Sequence, residues 1–273
     1  MTIVVTVTVP EGMVFAADSR QTYTNARGDV RVNSDHACKL FKIGSHVMAA
    51  TWGWAFLDGR SIYSHIKDFN VGLEGQKLTV EETTRQLGQY LHRQYQAGVE
   101  QGLATPVSEN TFAVGLMVGG YDPGSHYGRT YELYIPEGEY YERQSTDRKP
   151  GLSWRGYPIV INRLIRGYDY RLLDLAGVTP ELRQALDASP LEFNIDYWGM
   201  TLQDAVDLAT LLVQTTVQML RFSDGIQMAP GGSVTCGGPI DVAVAEPNEP
   251  IRWVQSKTLF AQPLFRSGPY GET

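Results

Sequence analysis

The sequence predicts a layered α/β fold with mostly antiparallel sheets, and two observations carry that prediction. Strand-like segments fall into two groups, with helix-period segments between and after them, instead of the strand–helix alternation that a parallel βαβ sheet requires. Neighbouring strand segments are also joined by short turn sequences, Pro10-Glu11-Gly12 and Gly44-Ser45 among them, as antiparallel hairpins are.

The elements follow in chain order. Residues 3–9 and 13–18 alternate and are rich in β-branched side chains, so they predict a first hairpin about the Pro10-Glu11-Gly12 turn. Residues 19–36 read as a polar excursion. Residues 38–43 and 46–51 predict a second hairpin. Phe56, Ile62, Ile66 and Phe69 suggest a helix from Trp54 to about Phe69, and Leu87, Leu91 and Tyr95 suggest another over 80–103. The period then returns to two: 111–120, 129–135 and 140–143 read as strands. Residues 158–198 read as helical or irregular, broken at Gly177 and Pro190. The clearest helix spans Thr201–Phe222, with Thr201 as N-cap, Asp204 three residues on, and an apolar stripe through Ala205, Leu208, Ala209 and Leu212. A Gly/Pro-rich stretch over 225–232 leads to strands at 239–245 and 251–255.

Composition narrows the function classes. The 273 residues, 42% hydrophobic, support a substantial core and are read as one domain with an elaborated helical segment around 160–198. A net charge of -7 without any Lys/Arg run argues against nucleic acid as a partner. Cys38 and Cys236 form no CxxC pair; Cys38 is expected to be a buried structural thiol, and a reducing cytoplasm is the expected location. No signal peptide and no apolar run of membrane-spanning length is read. The five histidines lack ligand spacing and the Gly-Gly pairs lack a phosphate-loop pattern, so no metal or cofactor is expected.

One constellation carries chemistry. If Val9 pairs with Met13, Val4 lies opposite Asp18, so Thr2 and Asp18 share a face of the first hairpin. With Met1 removed, that corner holds a hydroxyl, a carboxylate and a free amine. Lys39, placed on the apolar face with Phe41 and Ile43, needs an acidic partner, and Asp18 is at the right end of the neighbouring hairpin. Gly53 stands where a strand gives way to the expected helix, so its N–H is suited to meeting an anion with a helix dipole behind it.

The strings Thr2-Ile-Val-Val, Val14-Phe-Ala-Ala-Asp18-Ser-Arg20-Gln-Thr22, Ala37-Cys-Lys39-Leu-Phe-Lys-Ile-Gly44 and Ala50-Thr-Trp-Gly53 resemble proteasome β-subunits and bacterial HslV. The helix at 201–222 and the run Cys236-Gly-Gly-Pro-Ile-Asp-Val-Ala-Val resemble that family's last long helix and the glycine-led strand after it. The resemblance covers roughly residues 2–60 and 200–245. It implies an α+β, four-layer αββα sandwich of the N-terminal-nucleophile (Ntn) hydrolase type, with two mostly antiparallel sheets between helix layers. It also implies a threonine peptidase in which Thr2 attacks a peptide carbonyl and its own α-amine takes the proton; an α-amine titrates near pH ~8. Asp18 and Lys39 would support the attack, the Gly53 N–H would hold the oxyanion, Arg20 would brace the active-site loop, and Thr22 would hold substrate backbone. Thr51 falls on a specificity position.

The family further implies a homo-oligomer, a ring or a related assembly, acting on peptide or polypeptide; nothing in the sequence speaks to an ATPase partner. The pattern departs from the family near the second glycine pair, where an Asp and a Ser are replaced by Ser233 and Cys236, with Asp224 as a possible substitute carboxylate. A Gly-Ser-Gly turn is not evident at Gly156-Tyr157-Pro158. The departures keep two alternatives open, a non-catalytic scaffold subunit and an amidase acting on a small non-peptide amide.

Overall fold

A computed structural model of the chain describes residues 2–25, 27–73, 75–108, 111–138, 140–143, 149–174, 177–188, 191–223 and 235–258. The fold is α+β. Among the described residues it has strands β1 (Ile3–Val9), β2 (Gly12–Ala17), β3 (Gln21–Thr24), β4 (Val30–Ser34), β5 (Leu40–Ile43), β6 (Val47–Gly53), β7 (Phe56–Leu57) and β8 (Arg60–Ser61). Helices α1 (Ile62–Gly72) and α2 (Val80–Glu100) follow, then β9 (Val114–Tyr121), β10 (Gly128–Ile135), β11 (Tyr140–Arg143) and β12 (Gly151–Gly156). The chain closes with α3 (Ile159–Ile161), α4 (Pro180–Asp187), α5 (Leu202–Phe222), β13 (Asp241–Ala245) and β14 (Arg252–Gln255).

Two five-stranded sheets dominate, in the orders β12-β1-β2-β13-β14 and β11-β10-β9-β6-β5, and every pair in them is antiparallel. Strand alternation sorts the core into three clusters. Ile3, Val5, Val14 and Val242 on the first sheet meet Ala205, Ala209 and Leu212 of α5. Val4, Met13, Phe15 and Ala243 point the other way and meet Met48, Ala50 and Met117 of the second sheet. That sheet's remaining face, with Phe41, Leu116 and Leu133, meets Ile66 of α1 and Leu87 and Leu91 of α2. Because both faces of β1 are covered, all seven of its residues are buried, and it reads as a near-continuous apolar run.

Capping fixes the long helices. Thr79 and Glu82 bond reciprocally at the start of α2, and Thr201 and Asp204 do so at the start of α5, each satisfying amides the helix cannot satisfy itself. In the 160–198 region, α3 runs into a π-helical turn over Asn162–Arg166 that ends at Gly167, and a 3-10 turn over Tyr170–Asp174 precedes α4. Asp169 clamps this region by accepting from Arg163 (2.8 Å) and Arg171 (2.5 Å). The hydrogen bonds from Arg171 hold its carboxyl down at about 2.

Several sequence expectations are corrected. The first hairpin pairs Val9 with Gly12, not Met13, because the turn uses two residues, Pro10 and Glu11; every partner shifts by one and Val4 faces Ala17. The second hairpin turns on three residues, with Gly44 in the left-handed region (φ 58°). No helix starts at Trp54. Asp58 and Gly59, both at positive φ, make a tight hairpin of β7 and β8, and Ser61 then caps α1. Residues 19–36 contain the paired strands β3 and β4. Strand β12, unread in the sequence, becomes the edge partner of β1. The stretch 225–232 lies outside the described residues.

Burial makes a direct prediction. Phe15 is fully buried between the two sheets, whereas Val71 is 68% exposed on α1. Phe15→Ala should therefore cost about 3–5 kcal/mol and Val71→Ala no more than about 0.5 kcal/mol, read as shifts of the urea midpoint at constant m-value.

Candidate active site

The site is built at the open ends of β1, β2, β5 and β6. Strand β2 ends at Ala17; Asp18 adds one more rung, its N–H donating to the Ile3 carbonyl at 3.3 Å, and its carboxylate turns back into the protein. There it is fully buried. One oxygen accepts from Lys39 Nζ at 2.7 Å and from the Ile3 N–H at 3.0 Å. The other accepts from the Gly237 N–H at 2.9 Å and the Arg20 N–H at 3.2 Å. A lone buried carboxylate would be costly; four donors, one of them a cation, offset that cost. The placement replaces the register argument: Asp18 lies opposite Ile3, not Val4, and its carboxylate reaches back to the N–H of the Thr2–Ile3 peptide.

Lys39 lies just before β5, with its side chain 7% exposed, and its ammonium meets Asp18, the acidic partner the sequence offered for it. Its carbonyl accepts from the Thr51 N–H at 2.9 Å, which ties it to β6. Thr2 is 5% exposed. The peptide linking Thr2 to Ile3 and the Lys39 ammonium are bound to the same Asp18 oxygen, so the three residues are held as one unit.

Thr2, Lys39, Thr51 and Gly53 all line one cavity of about 1100 Å³, together with Arg20 and Thr22. Gly53 occupies the last position of β6 at φ +92°, and a Cβ there would sit 2.4 Å from the Ala113 carbonyl, so only glycine fits. The next N–H, of Trp54, bonds to the carbonyl of Ala113, just before β9; by strand alternation the Gly53 N–H faces the opposite edge, toward Lys39 and the cavity. No helix dipole stands directly behind Gly53, since α1 begins only at Ile62.

The remaining residues have plain placements. Arg20 is bidentate to Asp35 (2.6 and 2.9 Å); the hydrogen bond from Arg20 lowers the Asp35 carboxyl pKa, and the same bond raises the pKa of Arg20. The guanidinium packs so closely on Gly237 that a Cβ there would lie 2.6 Å from it. Thr22 sits on β3, opposite Val32. The Thr51 hydroxyl donates to the Gly115 carbonyl at 3.3 Å. Cys236 is buried, and burial, followed by the Asp18 charge, pushes its thiol up to about 12. Cys38 is exposed, which corrects the expectation of a buried thiol; its pKa is raised, chiefly by desolvation, so it is no activated nucleophile. Ser233 and Asp224 lie outside the described residues.

Sequence reasoning did not single out Gly237, Asp35 or Ser19. The Cys236-Gly237-Gly238 string marked the place, but only the fold shows that its first glycine N–H reaches Asp18.

No protein-family model matches the chain, and no curated protein matches it in sequence. Solved structures match it across nearly its full length. The helical assembly of the Anbu complex from Pseudomonas aeruginosa is 16% identical, with a TM-score of 0.54, over 94% of this chain and 88% of that one. An Anbu (Gly-1) mutant from Hyphomicrobium sp. strain MC1 is 17% identical, with a TM-score of 0.52, over 93% and 87%. These neighbours correct the sequence-based placement among proteasome β-subunits and HslV: the fold is similar to that of Anbu. Four motif positions at one corner define a site but not a branch of the fold, so their spacing could not separate the two.

Removing one partner of a buried ion pair strands the other. Asp18→Asn should destabilise the protein by about 3–5 kcal/mol, and Asp18→Asn/Lys39→Met by clearly less than the sum of the single changes. A double-mutant cycle from urea denaturation checks this, with strict additivity as the contrary result.

Proposed function

We propose that the chain is an N-terminal-nucleophile hydrolase that cleaves amide bonds with Thr2, exposed as the terminal residue by removal of Met1. The buried Lys39–Asp18 pair, bonded to the Thr2–Ile3 peptide at the wall of an open cavity, is the observation that carries this proposal. A structural ion pair needs no cavity, and a surface one needs no burial.

In this mechanism the Thr2 Oγ attacks the substrate carbonyl carbon and its proton passes to the Thr2 α-amine, directly or through water. The amine acts as general base because its ordinary pKa lies near ~8, close to working pH. Lys39 keeps a positive charge beside the forming alkoxide and stays in place because Asp18 binds it. The carbonyl oxygen, now negative, is held by the Gly53 N–H, the kind of donor whose loss costs about 3 kcal/mol. The tetrahedral intermediate collapses to an ester on Thr2 as the protonated amine returns its proton to the leaving nitrogen. Water then hydrolyses the ester and regenerates Thr2.

Arg20, locked on Asp35 and packed on Gly237, braces the glycine turn whose N–H binds Asp18. Thr22, on a short strand lining the cavity, is placed to hold extended substrate backbone, which makes peptide the favoured substrate class over a small amide. Thr51 sets the depth of the pocket beside Lys39. Ser233 is assigned a supporting role from the motif alone.

The architecture supporting this chemistry is a single domain of four layers, αββα, as the three core clusters suggest. Self-association is part of the proposal: the Pseudomonas neighbour forms a helical assembly, and Leu211, Met219 and Phe222 stand exposed along α5. The free thiols of Cys38 and Cys236 fit a reducing cytoplasm, and among the described residues no helix is long and apolar enough to cross a membrane. A non-catalytic scaffold is the second reading, favoured by the buried, protonated Cys236 where the family resemblance implies a serine.

Intact mass and a β-lactone probe decide between them. The hydrolase should lack Met1 and gain one acyl adduct on Thr2; Thr2→Ala should gain none, and Lys39→Met should react at least about a hundredfold more slowly. Retained Met1, or equal labelling of Thr2→Ala, would favour the scaffold.

A further inference from the structure

Beyond Asp18 itself, the turn that carries it is fastened from an unexpected direction. Lys257 follows β14, near the far end of the chain. Its N–H donates to Asp241 Oδ1 at 3.1 Å and its Nζ pairs with Asp241 Oδ2. The same Nζ donates to Ser19 Oγ at 2.9 Å. The Lys257 and Asp241 side chains are 10% and 5% exposed, and Ser19 is fully buried.

Ser19 has its backbone engaged on both sides as well. Its N–H donates to the Gly237 carbonyl and its own carbonyl accepts from the Ala37 N–H, each at 2.9 Å. The residue after Asp18 is thus gripped by the segment leading to Lys39, by the glycine turn and by the C-terminal arm. Asp241 neutralises the Lys257 charge and takes one of its three N–H donors; Ser19 Oγ takes another, and that bond ties the ammonium to the turn.

We infer that Lys257 is a positioning residue that clips the Asp18–Ser19 turn and so holds the Asp18 carboxylate against Lys39 and the Ile3 N–H. Its effect on catalysis rests on the hydrolase proposal; its effect on the turn does not. No proton moves through Lys257 and it does not meet substrate. The physical logic is stiffness: Asp18 stands one residue beyond the end of β2, held to the sheet by a single long rung from its N–H to the Ile3 carbonyl (3.3 Å), and four donors aimed at one carboxylate tolerate little displacement.

The full-length protein tests this with four variants. Lys257→Met leaves Asp241 buried without its cation and is expected to lose stability for that reason alone. Lys257→Met/Asp241→Asn removes that charge, and Ser19→Ala removes only the acceptor while sparing the ion pair. Both should melt close to wild type, label with the β-lactone at least tenfold more slowly, and exchange the amides of residues 18–20 at least tenfold faster in deuterium uptake. Lys257→Arg should recover part of the labelling rate. Ser19→Ala with wild-type labelling and wild-type exchange overturns the inference, and it does so even if the double variant fails to fold. Unlabelled wild-type protein would sink the hydrolase proposal, and the exchange at 18–20 would then decide the clip on its own.

Discussion

One buried carboxylate organises this protein. Asp18 has no solvent to satisfy it, so the fold brings it four donors from four places in the chain: Ile3, Arg20, Lys39 and Gly237. Those contacts fix where β1 starts, where β2 ends, how β5 approaches and how the chain enters β13. Losing any charged member leaves the other stranded at a cost of several kcal/mol, a large share of the stability of a typical domain. The same requirement places a lysine ammonium beside the second residue of the chain, and that proximity is what makes chemistry conceivable there.

The sheets provide the rigidity that such a site needs. Side chains such as Phe15, Met48 and Met117 pack between them, residues of α5 pack on the first sheet, and residues of α1 and α2 pack on the second. Glycine is used where backbone must come close. Gly156, at φ +96°, lies against the Thr2 carbonyl, where a Cβ would sit at 1.9 Å, and Gly53 lies against Ala113. Gly156 thus abuts the proposed nucleophile and Gly53 is itself the proposed oxyanion donor, so close backbone approach is used at both.

Much of this was legible in the sequence because it is written locally. The β-branched alternation of β1 and the capping box of α5 depend on neighbours a few positions apart. What depended on turn chemistry was less secure. A two-residue turn at Pro10-Glu11 in place of a three-residue one shifts the whole register, and the positive φ of Asp58 and Gly59 turns an expected helical turn into a hairpin. Long-range partners were not legible at all: Gly237 reaching Asp18 across 219 residues, and Lys257 reaching Ser19 across 238, leave no periodic trace. The family placement failed for a related reason. The motifs describe the corner they build, whereas the likeness to Anbu emerges only when some nine-tenths of the chain is superimposed.

The central claim is that Thr2, Gly53 and Lys39 form a single reacting centre, and the structure of the protein after reaction with a β-lactone tests it most directly. The account predicts an ester on Thr2 Oγ, its carbonyl oxygen within about 3.1 Å of the Gly53 nitrogen, and Lys39 still bound to Asp18. An adduct on another residue, or an ester whose oxygen points away from Gly53, would contradict it.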